Sequence, residues 1–303
     1  MAKSKTIVAH RLFDFRDVVE DRHVIATTVG PDLNPIILSL GKEPDYRVEK
    51  VGASFAKKKA NQPNDFRIHH CVEDQWFTVE IETTVENIHT VQPLGAEQWL
   101  LVRCRASSPS DRNAHVADSY GRIVRSFHAG DGIEDVQTTS DSKIWCSFFD
   151  EGVFSGMTLG QSGLVCLDGH GKKLFDYEQI VGQNDSIADC YALNVCGNHD
   201  TWLYYYTDFP LVRITDFQLA HRWPRMPVSG SHAFAVAREH VLFFGSYDER
   251  HTLFQVHLST VRVQKLIAVT AEGRRIKATA AFGRGHQLYL ATKDALYLVD
   301  WKA

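Results

Sequence analysis

The chain has 303 residues, of which 44% are hydrophobic and 11% aromatic, and it carries no long polar tract; this excludes a disordered chain and implies a well-cored globular fold. A formal charge of −4 and a pI near 6.4 leave no general electrostatic footprint for nucleic acid or an anionic membrane. The polar N-terminus lacks a signal-peptide core, and nowhere do about 18 apolar residues run consecutively, so the expected location is the cytoplasm, with no membrane partner.

Short runs rich in Val, Ile, Tyr, Phe, Trp and Thr, broken by Gly, Asp and Asn, predict an all-β chain almost free of helical periodicity. Thr6 to Leu12 reads as a strand, and Phe15-Arg16-Asp17-Val18 as the first of a series of inner strands. His23 to Val29 and Pro35 to Leu40 follow. A Lys-rich, Pro-punctuated insertion at about 41–66 then interrupts the pattern, and its run Lys57-Lys58-Lys59 reads as a solvated face. Arg67 to Cys71 and Trp76 to Ile81 resume the strands.

From Ile88 onward a repeat takes over. Ile133-Glu134-Asp135 leads to Ile144 to Asp150, and Ile187-Ala188-Asp189 leads to Trp202 to Asp208. Fainter copies start at Ile88-His89-Thr90, Ser231-His232-Ala233 and Ile276-Lys277-Ala278, so the starts fall 45, 54, 44 and 45 residues apart, the length of a propeller blade. The blades read as about 88–129, 132–180, 186–228 and 231–270. Within them Asp168-Gly169-His170-Gly171 is a strong hairpin turn, and Arg222 to Pro227 reads as an exposed connection in which Trp223 could anchor a partner. The last stretch yields only three strands, from Ile276, Gln287 and Ala295. An open blade would expose an unpaired edge, so the N-terminal strand is expected to supply the fourth and close the ring. This gives one domain, 1–303, as a six-bladed β-propeller; treating 45–83 as a degenerate blade would give seven.

Tyr205-Tyr206-Thr207-Asp208 resembles the Tyr-Trp-Thr-Asp signature of one group of six-bladed propellers, with related endings at Ser147 to Asp150, Ser246 to Asp248 and Thr292 to Asp294. That resemblance implies architecture: in that group the motif packs and hydrogen-bonds neighbouring blades. In blade number and lack of disulfides the chain also resembles the gluconolactonase-like, metal-dependent hydrolases. This second resemblance implies a metal held by acidic and Asn side chains at the channel mouth, although no motif matches residue by residue.

On this register the loops that enter the inner strands present Asp17, His89, Asp135, Asp189, His232 and Lys277. The loops joining second and third strands present Arg105, Asp150, Glu151, Asp208, Tyr247, Asp248 and Asp294. Converging carboxylates either raise one another's pKa or recruit a cation. Asp17, Asp135 and Asp189 are therefore candidate metal ligands for Ca, Mg, Mn or Zn, a His contribution favouring the transition metals. The expected function is binding of a small polar molecule or a protein partner at an acidic channel mouth; the alternative is a metal-dependent hydrolase of the lactonase type. The same aspartates can instead close turns or accept backbone N–H groups. His69-His70 alternate faces on a strand and cannot share one site. The six cysteines sit mostly in apolar runs without a close C-x-x-C pair and read as reduced, buried thiols. Phosphate-loop, dinucleotide and nucleophile-elbow motifs do not occur.

Overall fold

The computed structural model describes residues 5–50, 53–181 and 185–301; the first four residues, and residues 51 and 52 of the insertion, lie outside them. The chain divides into two compact units, a middle unit of Val18–Gln179 and a split unit of Met1–Asp17 with Ile180–Ala303.

The chain opens with β1 (Lys5–Asp14) and a single helical turn, α1 (Phe15–Val19). Here the expected inner strand gives way to helix. Phe15 and Val19 are both buried at helical rather than strand spacing, and Asp17 between them points to solvent. The first inner strand is instead β2 (His23–Val29). With β3 (Pro35–Leu40), β7 (Phe66–Val72) and β8 (Gln75–Glu80) it makes a four-stranded sheet in the order β2-β3-β7-β8. The insertion folds as a hairpin of β4 (Arg47–Lys50) and β5 (Ala53–Ala56), followed by β6 (Lys59–Asn64), which pairs with β9 (Thr84–Glu86). Its lysines are tied down rather than simply solvated: Lys57 Nζ lies 2.6 Å from Asp45 and Lys58 Nζ 2.9 Å from Ser107 Oγ. Because β7 and β8 complete the first sheet, residues 45–83 are not a blade of their own, and the seven-blade alternative falls.

Two more sheets complete the middle unit. One comprises β10 (Thr90–Leu94), β11 (Gln98–Val102), β12 (Ala114–Asp118) and β13 (Ile123–Phe127). The other comprises β14 (Ile133–Thr138), β15 (Ile144–Phe148), β16 (Leu164–Leu167) and β17 (Lys173–Asp176), with a short helix α2 (Asp150–Val153) after β15. At the hairpin after β16, the Asp168 carboxylate accepts the His170 and Lys172 N–H groups at 2.8 and 2.9 Å, the turn the sequence predicts.

The split unit holds β18 (Asp189–Cys196), β19 (Asp200–Tyr206), β20 (Leu211–Thr215) and β21 (Gln218–Trp223), then β22 (Ala233–Ala237), β23 (His240–Phe244), β24 (Leu253–His257) and β25 (Arg262–Val269). Last come β26 (Ala280–Arg284), β27 (Gln287–Ala291) and β28 (Ala295–Val299), to which β1 adds the fourth strand, pairing antiparallel with β28 from Ala9↔Val299 to Asp14↔Ala295. The N-terminal strand therefore completes the last blade as expected. It also pairs in parallel with β25, from Lys5↔Leu266 to Val8↔Val269, and so joins two four-stranded sheets into one of eight. The inner strand of that blade starts at Ala280, not Ile276: Ile276 and Ala278 are buried in irregular backbone.

Side chains from one sheet pack on the next, and aromatics dominate the contact. Phe148 fills the packing between the second and third sheets of the middle unit, while Phe234, Phe243 and Tyr204 do so in the split unit. Trp223 belongs to this packing: its ring stacks on Trp202 at 5.5 Å and its Nε1–H donates to the Leu258 carbonyl at 3.1 Å. It closes the space between two blades instead of standing free for a partner. In each unit one buried carboxamide ties three inner strands together. Gln92 on β10 donates to Thr28 Oγ1 of β2 at 2.8 Å and accepts from the Thr138 N–H of β14 at 3.3 Å. Asn194 on β18 donates to the Phe234 carbonyl of β22 at 2.8 Å and accepts from the Gly285 N–H, just after β26, at 2.7 Å.

Candidate functional site

In the middle unit the loops that enter the inner strands, and those joining second to third strands, gather charge. Arg103, with no exposed side-chain surface, bridges Glu86 and Asp111 at 2.7 Å each. Burial opposes the Asp111 charge, but the guanidinium and the Ser107 N–H hold its pKa down at about 2. Arg105 reaches Asp131 at 3.0 Å and also bonds Glu151, and its guanidinium lies over the Phe149 ring at 5.7 Å. His89 accepts the Cys104 N–H on Nδ1 at 3.3 Å; burial first, then the Arg103 charge, pulls its pKa down to about 4, so at neutral pH it is an uncharged ring.

Of the expected residues, His89, Arg105 and Glu151 belong to this network, and Glu151 is spent on the arginine. Asp150 accepts the Glu151 N–H at 2.7 Å at the start of α2. Asp135 accepts the Val136 N–H at 2.7 Å and the Gln137 amide at 3.0 Å, so it serves the local backbone and its neighbour. Glu86, Asp111, Asp131 and Glu151 are paired with the two arginines. Arg103, Glu86, Asp111 and Asp131 were not among the sequence candidates, because their pairing joins positions 8 to 26 residues apart that the repeat does not align.

In the split unit the corresponding loops gather rings. Tyr191 lies in a bulge: the β18–β19 register shifts between Cys190 and Ala192, both buried, which turns the intervening side chain off the ladder. Its ring stacks on His232 at 4.7 Å, and its hydroxyl lies 2.6 Å from the Tyr247 hydroxyl. Phe209 sits among Tyr191, Tyr206 and Tyr247 at 5.4, 5.7 and 5.7 Å. Its φ of +54° is an unusual conformation for a bulky residue and marks local strain held by the surroundings. Gly230 makes room for Tyr247, since a Cβ there would stand 2.4 Å from the Tyr247 ring. Tyr206 and Tyr247 nevertheless remain 42% and 55% exposed, a ring surface that the fold does not cover. Burial first, then the Tyr247 hydroxyl and the nearby Asp189 charge, raises the Tyr191 pKa, so its hydroxyl stays protonated.

His232 thus belongs to the ring cluster, and Asp189 stands within electrostatic range of Tyr191. Asp208 is paired with Arg225 at 2.6 Å on the open surface. Asp17 is on α1 and enters no inner strand. Among the described residues no group of three or more His, Cys, Asp and Glu is placed to hold a metal ion. In the first sheet, His69 is buried between Ser39 and Thr78 at 2.8 and 3.0 Å, whereas His70 lines a cleft of about 550 Å³ with Phe77 and Trp99. All six cysteines are free thiols.

Six four-stranded sheets among the described residues, each antiparallel and taken in chain order once β1 completes the last, define a six-bladed β-propeller. A solved structure agrees on that fold. A catalytically inactive virginiamycin B lyase from Staphylococcus aureus, solved with quinupristin, is similar at a TM-score of 0.51 and 10% identity, over 93% of this chain and 96% of that one. A gluconolactonase from Xanthomonas campestris is similar at a TM-score of 0.48 and 9% identity, over 96% of both chains. A model of the YxzG family matches residues 162–299. No curated protein matches the chain.

Proposed function

We propose that the chain is a cytoplasmic binding propeller that takes a small polar molecule with a flat ring face, such as a sugar or a nucleoside, on the Tyr191 cluster. The observation that carries this reading is the set of half-exposed rings around the strained Phe209, with paired Tyr191 and Tyr247 hydroxyls at its centre. Rings supply stacking area at small entropic cost, hydroxyls supply donors and acceptors, and Asp189 adds an acidic edge. The cytoplasmic assignment draws support from six unbridged thiols. The alternative, a lactonase-type hydrolase, needs carboxylates free to take a divalent ion, and the arginines of the middle unit already occupy Asp131 and Glu151.

A thermal-shift screen with monosaccharides, sugar lactones and nucleosides tests the binding reading. At least one class should raise the melting temperature, and Tyr191→Phe should abolish that shift while the ligand-free protein melts within a few degrees of the parent. A flat response to all three classes sinks the proposal. Stoichiometric Ca, Mn or Zn in the purified protein, or turnover of a lactone, would move the assignment to the hydrolase.

A further inference from the structure

The loop from β25 to β26 builds a second recess in the split unit. Residues 270–277, the turn at Thr292 and Asp294, and Ala9 to Arg11 on β1 enclose about 640 Å³, within the range of small-molecule sites. Four permanent cations line it, Arg11, Arg274, Arg275 and Lys277, against two carboxylates, Glu272 and Asp294. That balance is opposite in sign to the chain's net −4.

The carboxylates satisfy the cations only in part: Glu272 lies within electrostatic range of Arg274 and Arg11 but forms no ion pair with either among the described residues. Glu272 accepts the Thr270 hydroxyl at 2.7 Å, and Arg11 is held by Asp14 at 2.9 Å and by the Tyr297 hydroxyl at 3.2 Å. Arg274, Arg275 and Lys277 have no ion pair and no side-chain hydrogen bond among the described residues. Their backbone is nevertheless fixed: the Arg274 carbonyl accepts the Thr270 N–H at 2.8 Å, the Gly273 N–H donates to the Thr270 carbonyl at 2.9 Å, and Arg275 bridges to Val269. Gly273, at a φ of +81°, allows that tight turn. Three cations within four positions, with Arg11 beside them, outnumber the two carboxylates of the recess, and an anion bound among them would balance that excess. Arginine forks match the oxygens of a tetrahedral phosphate two at a time, with lysine adding a point charge.

We infer that this recess binds a phosphate group, free or carried on a small metabolite. Calorimetric titration in 50 mM salt with inorganic phosphate, a hexose monophosphate and citrate tests it. The expected result is a submillimolar Kd for at least one phosphate probe and much weaker binding of citrate. A tighter hexose monophosphate assigns the metabolite as ligand, and equal affinities assign free phosphate. Arg274→Gln with Arg275→Gln should raise the Kd at least tenfold and Lys277→Gln severalfold. Arg262→Gln, an exposed cation on β25 outside the recess, and Tyr191→Phe should leave it within twofold. No heat with either phosphate probe, citrate bound as tightly, or the same Kd in the Arg274 and Arg275 variant would overturn the inference. Circular dichroism melts confirm that the variants fold, and Lys277→Gln gives an independent reading if the double variant does not.

Discussion

The two units use one scaffold and finish it differently. In each, a buried carboxamide staples three inner strands, Gln92 in one and Asn194 in the other, and aromatic side chains fill the space between sheets. At the strand-entry loops they part. The middle unit closes its loops with Arg103 and Arg105 on four carboxylates, whereas the split unit leaves Tyr206 and Tyr247 half-open beside Tyr191. The repeat therefore sets where the loops go, and the residues placed there decide whether they close on charge pairs or leave rings exposed.

The sharpest way to break this contrast is to remove Arg103. Its guanidinium is fully buried between Glu86 and Asp111, and Arg103→Leu strands Asp111 without a counter-charge and leaves Glu86 only the exposed Lys59, 3.4 Å away. A loss of about 3–5 kcal/mol is expected from urea unfolding at pH 7. A loss under about 1 kcal/mol would show that the middle unit's ion pairs are as dispensable as surface ones, and the contrast with the open rings would fail.

Acid provides the next test, and it too should act on the middle unit. Burial, then the Arg22 and Arg67 charges, lowers the His69 pKa from 6.5 to about 4. The folded-state value lies below the unfolded one, so the unfolded chain takes up protons that the folded chain refuses, and stability falls as pH drops from about 6.5 towards 4. His69 alone should cost about 2 kcal/mol by pH 5. His89, lowered in the same direction, adds to the decline. Denaturant titrations at pH 7.5 and 5 should show this loss, and His69→Gln should shrink the difference by about that amount. An unchanged pH dependence in the variant would remove His69 as its source.

These two tests bear on residues of unequal visibility in the sequence. The blades were legible because apolar alternation, Asp-Gly turns and a 44 to 54 residue period are local or repeated signals. The borrowed fourth strand was legible too, since a three-strand remainder leaves an edge that needs pairing. Asp17 was misplaced because Phe15-Arg16-Asp17-Val18 matches Ile133-Glu134-Asp135-Val136 residue by residue, while the burial of Phe15 and Val19 obeys helical spacing. The candidate site was half legible. His232 and Asp189 follow from the register, but Tyr191 reads as buried under strict alternation, and only the bulge beside it turns its ring outward. Of the Arg103 pairs, the one with Glu86 joins separate loops and the one with Asp111 closes the β11–β12 loop on itself, and neither falls on a position that the repeat marks.

The smallest effect is expected at the open rings, and it completes the comparison. Tyr247→Phe deletes one hydroxyl and its 2.6 Å contact with Tyr191, while the ring keeps its place against Gly230 and Phe209. A neutral hydrogen bond near solvent contributes about 1 kcal/mol or less, so the melting temperature should move by no more than a few degrees. The shift produced by whichever ring-bearing ligand the screen finds should nonetheless fall sharply, since the paired hydroxyls would be its polar anchor. A variant that melts early but binds as well as the parent would reverse the assignment: the rings would then be packing, and the split unit would be finished for stability just as the middle unit is.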